Sequence, residues 1–244
     1  MSTLQTLRFF ATPEHECSYL DNEKARTLFV DPQADLDADI YAQLTDMGFR
    51  RSGSHIYRPH CIQCDACISV RIPAYEFQMS KSQKRIWNKN RDLSVESIDP
   101  ALTDEIYKLY ERYIKERHSD GDMYPPSPGQ FSGFLADSNQ QSQFHLMRDA
   151  EGKLLAVAVS DSLQQGQSAV YTFYDPEHEH RSLGTYAVLW QLMQLRELRG
   201  GYLYLGYWVK NCRKMSYKAR FYPLERLEQG VWIRVGDAER QESL

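Results

Sequence analysis

The stretch YTFYDPEHEHRSLGTYAVLWQLMQLRELRGGYLYLGYWV, residues 171–209, decides the fold because it places a long helix between two apolar strands. The first strand is predicted over 167–175. The second, 202–209, is apolar on both faces, which is typical of a central position in a sheet. Between them, residues 182–200 predict a long buried helix that ends at a pair of glycines.

Further strands and helices surround this core. Residues 143–149 and 154–163 predict two strands joined by a turn, and a short basic helix and a last strand follow residue 209. The segment ALTDEIYKLYERYIKERH, 101–118, predicts an amphipathic helix. Its apolar stripe consists of Ile106, Leu109, Tyr110, Tyr113 and Ile114. Elements in this order indicate an α+β fold with an acyltransferase-like layout.

The first ~95 residues differ in pattern and predict a compact unit of short strands and turns. A strand–turn signal lies around 48–57. Apolar and polar residues alternate over 69–77, which predicts a strand. Ser80 or Ser82 is placed to cap a short basic helix. We therefore expect two units, residues 1–95 and 96–244.

Composition excludes several classes of protein. The chain has 244 residues, 42% of them hydrophobic, and a net charge of −4. No stretch approaches the ~20 apolar residues of a membrane helix. The N-terminus lacks a long apolar core and a small-residue cleavage site, so we expect no secretory signal. Five cysteines, an odd number, favour reduced thiols in the cytoplasm over a disulfide framework.

Two basic runs interrupt this acidic chain. The runs 81–91 and 210–220 contain no acidic residue. Either they are solvated helix faces, or they present a surface that binds a polyphosphate.

The segment YRPHCIQCDACISVRIP, 57–73, places three of the five cysteines at Cys61, Cys64 and Cys67. Cysteines three residues apart can turn their sulfurs toward one point, as in sites for soft metals. A tetrahedral site needs four ligands, so this run alone leaves one position open.

The order of these motifs resembles the aminoacyl-tRNA–protein transferases of the N-degron pathway, and within that family the bacterial leucyltransferases. The matching pieces are Cys17, YRPHCIQCDACISVRIP, SKSQKR, YTFYDP, SLGTYAVLWQL, YLYLGYWV and CRKMSYKARFYPLE, in that order. The resemblance implies transfer of leucine from leucyl-tRNA to the α-amino group of proteins that begin with Asp or Glu, which marks them for degradation. It also implies a GNAT-like acyltransferase domain behind a small cysteine-bearing N-terminal unit.

Eukaryotic members of this family carry a Cys-x-x-Cys and an adjacent cysteine pair thought to hold a metal or an iron–sulfur centre. Here Leu20 stands where the second cysteine of the first motif would be. The resemblance still implies a zinc or iron–sulfur site on Cys17, Cys61, Cys64 and Cys67, with His60 as a spare ligand. The alternative is a set of reduced, partly buried thiols.

The implied reaction is aminolysis of an ester that is already activated, so it requires no cofactor and no covalent nucleophile. The enzyme must hold a neutral amine against the ester carbonyl and stabilise the oxyanion that develops. Tyr174 and Asp175, at a strand end, are the candidate catalytic residues. Asp175 orients an amine on this interpretation, or else caps the following turn.

The segment after this strand corresponds to the donor loop of acetyl-coenzyme A enzymes. Arg181 and Gly184 match that loop and are candidates for contacting a phosphate at a helix N-terminus. Tyr186 stands where the loop has a small residue, and we expect it to crowd coenzyme A. The alternative is that the segment is an ordinary helix start.

Recognition of an acidic acceptor and of tRNA phosphates both need cations. The candidates are Arg71, Lys84, Arg85, Lys214, Lys218 and Arg220. Aromatic residues nearby are suited to stacking on unpaired bases, or else belong to the core. They are Trp87, Tyr207, Trp208 and Tyr217.

Three other functions remain open on the sequence. An arginyl-tRNA-dependent transferase would differ only in its donor. An acyl-coenzyme A-dependent N-acetyltransferase fits the C-terminal pattern apart from Tyr186. A non-catalytic RNA-binding or zinc-ribbon adaptor would use the cysteines and the basic helices alone.

Overall fold

A mixed α/β fold is built around one eight-stranded sheet in the computed structural model, which describes residues 4–121, 123–138, 140–210, 212 and 214–236. None of the helices in those ranges combines the length and the apolar character needed to cross a membrane.

The N-terminal part consists of short strands and one helix. These are β1 (Phe9–Ala11), β2 (His15–Glu16), β3 (Lys24–Ala25), β4 (Thr27–Val30), α1 (Ala38–Asp46), β5 (Arg50–Ser52) and β6 (His55–Pro59). Four of the strands form a sheet in the order β1-β4-β6-β5, and β2 pairs with β3. The predicted strand–turn signal is confirmed as the β5–β6 hairpin. Helix α1 was missed, because its sequence reads as an acidic stretch.

The remaining elements form the large sheet and its helices. They are β7 (Ile68–Pro73), α2 (Lys81–Lys89), β8 (Ser94–Ile98), α3 (Asp104–Arg117), α4 (Pro128–Phe131), β9 (Ser142–Arg148), β10 (Leu154–Leu163), β11 (Gly166–Tyr174), α5 (Leu183–Glu197), β12 (Tyr202–Trp208), β13 (Glu225–Glu228) and β14 (Val231–Arg234). Short 3-10 helices cover Pro176–Arg181 and Ser216–Arg220, and a π-helical turn covers Ser132–Ala136.

The order of strands in the large sheet is β14-β13-β7-β12-β11-β10-β9-β8. All of its pairings are antiparallel except that between β11 and β12. Strand β7 pairs with both β12 and β13, although it precedes residue 95. The predicted division into 1–95 and 96–244 therefore crosses a continuous sheet.

Capping explains where the predicted helices begin. Ser80 caps α2 and forms a reciprocal capping box with Gln83. Thr103 accepts a hydrogen bond from the backbone N–H of Ile106 at the start of α3. The five apolar residues predicted for the stripe of α3 are the five that are buried.

Two helices cover opposite faces of the sheet. Side chains of a strand alternate between its faces, so each face offers an apolar surface on which a helix packs. Along β10, Val157 and Val159 pack in the cluster that contains α3. Ala156 and Ala158 pack in the cluster that contains the start of α5. Helix α2 lies against α5, with the rings of Trp87 and Tyr186 5.5 Å apart.

A buried polar network joins the N-terminal part to the large sheet. Arg51 on β5 donates from Nε and Nη2 to the two carboxylate oxygens of Asp161 on β10, at 2.6 and 2.8 Å. Tyr41 and Ser142 donate to the same carboxylate at 2.7 and 2.6 Å. Four hydrogen bonds thus satisfy the buried aspartate, as a buried charge requires.

Candidate functional site

The two parallel strands of the sheet diverge and leave a cleft between them. Strands β11 and β12 pair only over Gly166–Ser168 and Tyr202–Tyr204, at their N-terminal ends. Beyond Ser168, no ladder pairing to β12 is formed by the rest of β11. The backbone edge of β11 from Ala169 to Tyr174 therefore faces the cleft rather than a neighbouring strand.

Arg50 is wedged between the two strands where they separate. Its Nη1 donates to Ser168 Oγ at 2.8 Å, and its Nη2 donates to the carbonyl of Ala169. Gly206 makes room for it, because a Cβ on that residue would lie 3.0 Å from Arg50 Nε. The φ of Gly206 is +75°, a left-handed conformation that favours glycine. Both features hold the two strands apart.

A bulge in β11 lies at the centre of the cleft. Val159 and Ser160 of β10 pair with Tyr171 and Ala169, so Val170 is the extra residue. A bulge leaves the extra residue outside the ladder and re-aims the side chains beside it. Here Ala169, Val170 and Tyr171 all line the cleft.

The cleft has a volume of about 610 Å³ and combines an apolar floor with aromatic and cationic walls. Its floor includes Ala169, Val188 and Leu205. Aromatic side chains stand along one wall, with the ring centroids of Tyr113 and Tyr174 4.9 Å apart. The site suits a ligand that is partly apolar and partly negatively charged.

The N-terminus of α5 opens onto this cleft. Ser182, Gly184 and Thr185 all line it. Gly184 allows the ring of Tyr174 to pack closely, since a Cβ there would lie 3.3 Å from the ring. A helix N-terminus presents unpaired N–H groups that favour an anion.

Cations outnumber carboxylates around the cleft. Among the residues that the structure describes, four Lys or Arg side chains line it, Arg117, Lys214, Lys218 and Arg220, with one carboxylate, Glu179. Arg117 pairs with Glu179 at 3.0 Å, and Lys214 pairs with Asp120 at 3.0 Å. The excess of positive charge favours a phosphate or carboxylate ligand.

Lys218 differs from the other three because it is 7% exposed. Its Nζ donates to the backbone carbonyl of Tyr207 on β12. Burial, and then the nearby guanidinium of Arg50, lower the pKa of Lys218 to about 7. None of the carboxylates in the described ranges forms an ion pair with it.

The structure brings five of the predicted site residues together in the cleft. They are Tyr174, Gly184, Lys214, Lys218 and Arg220. Lys84 and Arg85 lie elsewhere, exposed on α2. Helix α2 is tied to the cleft wall by a hydrogen bond from Gln83 Nε2 to the carbonyl of Arg220, 3.1 Å.

Asp175 lies in the capping position that the sequence left as an alternative. It is fully buried, and its Oδ1 accepts a hydrogen bond from the N–H of Glu177. Arg112 and Lys153 lie 2.9 and 3.0 Å from its Oδ2, and His178 Nδ1 lies 3.2 Å away. Burial opposes ionisation, but the hydrogen bonds from Lys153 and the Glu177 backbone and the charge of Arg112 lower the pKa of Asp175. The Asp175 carboxylate already has cationic and hydrogen-bonding partners within the protein, and its catalytic role stays a prediction.

Two predicted arginines are placed away from the cleft. Arg71 is buried in an ion-pair network with Asp46 and Glu225, at 2.7 and 2.8 Å. Arg181 pairs with Asp92 at 2.6 Å. Both guanidinium groups already have carboxylate partners, so neither joins the cations of the cleft.

The expectation that Tyr186 crowds the donor loop is wrong. The side chain is buried in the core between α5, β10 and Trp87. Leu183, three residues earlier on the same face of α5, packs in the same cluster against β10, so that face turns toward the sheet rather than the cleft. Among the predicted stacking residues, Tyr207 and Trp208 are buried core, whereas Tyr217 lines the cleft.

The four cysteines of the implied metal site lie close enough to influence one another. Burial, followed by the neighbouring thiols of Cys17, Cys61 and Cys64, raises the pKa of Cys67 to about 12. Cys61 Sγ donates instead to the carbonyl of Arg26, 3.9 Å away.

In the described part of the chain, no group of three or more His, Cys, Asp or Glu side chains is arranged to hold a metal ion. The donor set as arranged does not fit a metal centre, and the implied zinc or iron–sulfur site is unsupported.

Sequence reasoning missed several residues that line the cleft or, like Arg50, lie beside it. Arg50, Tyr113 and Tyr171 gave no local signal, because they reach the site only through the sheet topology. Arg117 had been treated only as part of the charged face of α3. Its position one turn beyond Tyr113 on that helix is the signal that could have placed it near the same wall.

Comparison with known proteins adds family relationships to this geometry. The family described as "Arginine-tRNA-protein transferase, N terminus" matches residues 15–85, and "Arginine-tRNA-protein transferase, C terminus" matches residues 105–228. A protein named aspartate/glutamate leucyltransferase from Pseudomonas fluorescens is 52% identical over 96% of this chain and 99% of its own length. Proteins of the same name from Stutzerimonas stutzeri and Hahella chejuensis are 53% and 51% identical over 96% of this chain, and over 99% and 100% of their own lengths.

Solved structures give a weaker match. The C-terminal domain of a putative lysylphosphatidylglycerol synthetase from Agrobacterium fabrum is 14% identical, with a TM-score of 0.43, over 68% of this chain and 50% of that one. A likeness at this level is too low to support an inference about function.

Both halves of the chain match one family, and relatives about half identical to it extend over nearly its whole length. The chain belongs to the arginine-tRNA-protein transferase family, on the branch of the aspartate/glutamate leucyltransferases.

Proposed function

We propose that this protein transfers leucine from leucyl-tRNA to the α-amino group of proteins whose first residue is Asp or Glu, and so marks them for degradation. The observation that carries the proposal is the cleft between the diverging strands β11 and β12. It offers an apolar floor, an excess of cations and a helix N-terminus at one place.

We also propose that the C-terminal part is a GNAT-like acyltransferase fold. The support is the order of strands and helices, the antiparallel hairpin β10–β11, the bulge at Val170 and the parallel neighbour β12 that diverges from it. On this proposal the small N-terminal unit contributes Arg50 to the cleft. The chemistry is then carried by one site built from both parts.

The donor leucine is assigned to the apolar floor of Ala169, Val188 and Leu205. The phosphate at the 3′ end of the tRNA is assigned to the N-terminus of α5 and the cations beside it, Arg220 and Lys214. Tyr217 is placed to stack on the terminal base. The unpaired edge of β11 offers backbone N–H groups of the kind that stabilise an oxyanion.

An acceptor amine that enters this cleft meets an ester that is already activated. Holding the two together accounts for most of the expected acceleration, because proximity alone is worth roughly 7–11 kcal/mol in favourable cases. The ester needs no further activation, so no step of the proposed transfer uses a cofactor.

The proposal is tested by offering labelled leucyl-tRNA and arginyl-tRNA with peptides that begin with Asp, Glu, Lys or Arg. Leucine is expected on the Asp and Glu peptides only. Arginine in its place would keep the mechanism and change the donor.

A parallel reaction with acetyl-coenzyme A is the matched control, since Tyr186 does not obstruct the donor loop. Acetylation of a peptide amine, together with no transfer from either tRNA, would replace the proposal with an N-acetyltransferase.

A further inference from the structure

The buried amine of Lys218 is a chemically reactive group that the proposed transfer has not yet used. Lys218 lies on the 3-10 helix Ser216–Arg220, in the wall of the cleft formed by β12. Surface lysines bind phosphate through a well-solvated cation, but most of this side chain is covered by protein, and it has no carboxylate partner among the described residues; only the part that lines the cleft can meet a ligand. A phosphate contact is therefore a poor account of it.

No carboxylate among the described residues neutralises a positive charge on Lys218, and of the groups around it only the Tyr207 carbonyl and the Tyr217 ring face favour the ammonium, without carrying a counter-charge. The surrounding groups are Arg50 from β5, Tyr207 from β12, Tyr217 beside it, and the thiols Cys67 and Cys212. Arg50 is fixed by Ser168 and Ala169, so its cation cannot move away. The two thiols would favour the ammonium only as thiolates, and burial raises the pKa of Cys67.

Hydrogen bonding fixes the direction of the amine. One N–H donates to the carbonyl of Tyr207. A neutral amine that donates one N–H keeps its lone pair for a second partner, and Lys218 lines the cleft from which that partner would come.

We propose that Lys218 is the general base of the transfer, taking a proton from the α-ammonium group of the acceptor protein. This inference rests on the proposed function, because it supplies the step that such a transfer requires. An acceptor α-amine has an ordinary pKa of about 7.7–8.0, so much of it is protonated at neutral pH. A base in the site releases the nucleophile where it is needed.

Lys218 takes up one proton and releases it within each transfer. The acceptor ammonium gives a proton to Lys218 Nζ, and the resulting amine attacks the ester carbonyl carbon. The tetrahedral intermediate collapses as the carbon–oxygen bond to the ribose breaks, and the ribose oxygen takes the second proton of the attacking nitrogen. Lys218 then gives its own proton to solvent, so one proton is released for each bond formed.

The test replaces Lys218 with Met, which removes the amine at similar size, and with Arg, which keeps a cation that cannot act as a base. Single-turnover transfer of leucine is measured with two acceptors. One peptide begins with Asp, and the other carries an aminooxy group in place of that α-amine. An aminooxy nitrogen is unprotonated at neutral pH and needs no base.

With the Asp peptide, both variants are expected to lose roughly 100-fold or more in the rate of transfer. With the aminooxy peptide they are expected to stay within about threefold of the wild type, because only proton removal has been abolished. The KM for leucyl-tRNA is expected to be unchanged. Lys115→Met, at an exposed lysine of α3 away from the cleft, is the control and should match the wild type with both acceptors.

Two results would overturn the inference. One is wild-type transfer to the Asp peptide by Lys218→Met. The other is an equal loss with both acceptors in both variants, which would make the residue structural. Failure of the wild-type protein to transfer leucine to either acceptor would instead overturn the proposed function.

Discussion

Arg50 and Lys218 come from distant parts of the sequence and meet at the point where β11 and β12 separate. Arg50 remains charged at any pH that the protein meets, whereas a buried lysine can release its proton. The structure thus places a fixed cation beside a group that can titrate. The lowered pKa of Lys218 has a consequence for stability as well as for chemistry.

The free energy of unfolding is predicted to rise with pH because of Lys218. The lysine has a pKa of about 7 when folded and an ordinary value of about 10.4 when unfolded. Between these values the unfolded chain binds the extra proton, so raising the pH stabilises the fold by up to about 1.4 kcal/mol per pH unit. Urea denaturation from pH 7 to pH 9 measures this slope.

The comparison with Lys218→Met isolates the effect, since other groups titrate equally in both proteins. The free energy of unfolding of Lys218→Met minus that of the wild type should fall as pH rises, because only the wild type gains stability from the buried lysine. A constant difference across that range would mean that the lysine is ionised in the folded protein.

At the scale of one element, Leu205 is an extra residue in β12 where the register to β7 shifts, and Gly206 follows it. Gly206→Ala is predicted to destabilise the protein and to reduce leucine transfer, because the new Cβ meets Arg50 and the left-handed φ becomes strained. Thermal denaturation and the transfer assay measure the two effects.

Gly152→Ala is the matched control. Gly152 has a φ of +83° but no atom within 4 Å of the added Cβ, so it carries the backbone strain of about 1–2 kcal/mol without the steric clash. It should leave transfer intact. Equal effects of the two substitutions on transfer would mean that the position of Arg50 between β11 and β12 does not shape the cleft.

Helix α2 displays Lys84 and Arg85 to solvent at the side of the cleft wall. Reversing both charges is predicted to weaken tRNA binding and to flatten its dependence on salt, by roughly 0.7–0.9 in the logarithmic slope for each phosphate that the protein no longer neutralises. Binding of leucyl-tRNA at several salt concentrations measures both quantities.

Reversal of Lys108 and Lys115 on α3 changes the net charge equally on another exposed face. If this control flattens the slope as much, the effect belongs to the overall charge of the protein and α2 does not contact RNA.

At the scale of the whole molecule, the sequence predicted what local patterns determine. The stripe of α3 and the cap of α2 depend on neighbours three or four residues away, and both are confirmed. The orientation of Tyr186 was predicted wrongly, because tertiary packing, and not the local sequence, decides which face of a buried helix meets the sheet. Arg50 was missed because only the pairing of distant strands brings it to the cleft.

The connection between the N-terminal part and the large sheet depends on the Arg51–Asp161 network. Asp161→Asn is predicted to destabilise the protein by roughly 3–5 kcal/mol, because it leaves the buried guanidinium without its counter-charge. Urea denaturation checks this value. Glu105→Gln, which breaks a partly exposed pair with Arg148, should cost at most about 1 kcal/mol. Similar losses of unfolding free energy in both variants would show that water reaches the buried guanidinium of Arg51.

The position of β7 has a consequence for how the protein is made. A ribosome releases this strand early, but its partners β12 and β13 leave the ribosome only near the end of synthesis. Pairings between strands so far apart in sequence are slow to form, because a long loop must close first. An apolar strand thus waits unpaired while most of the chain emerges, and the newborn protein is most prone to aggregate just before its sheet is completed.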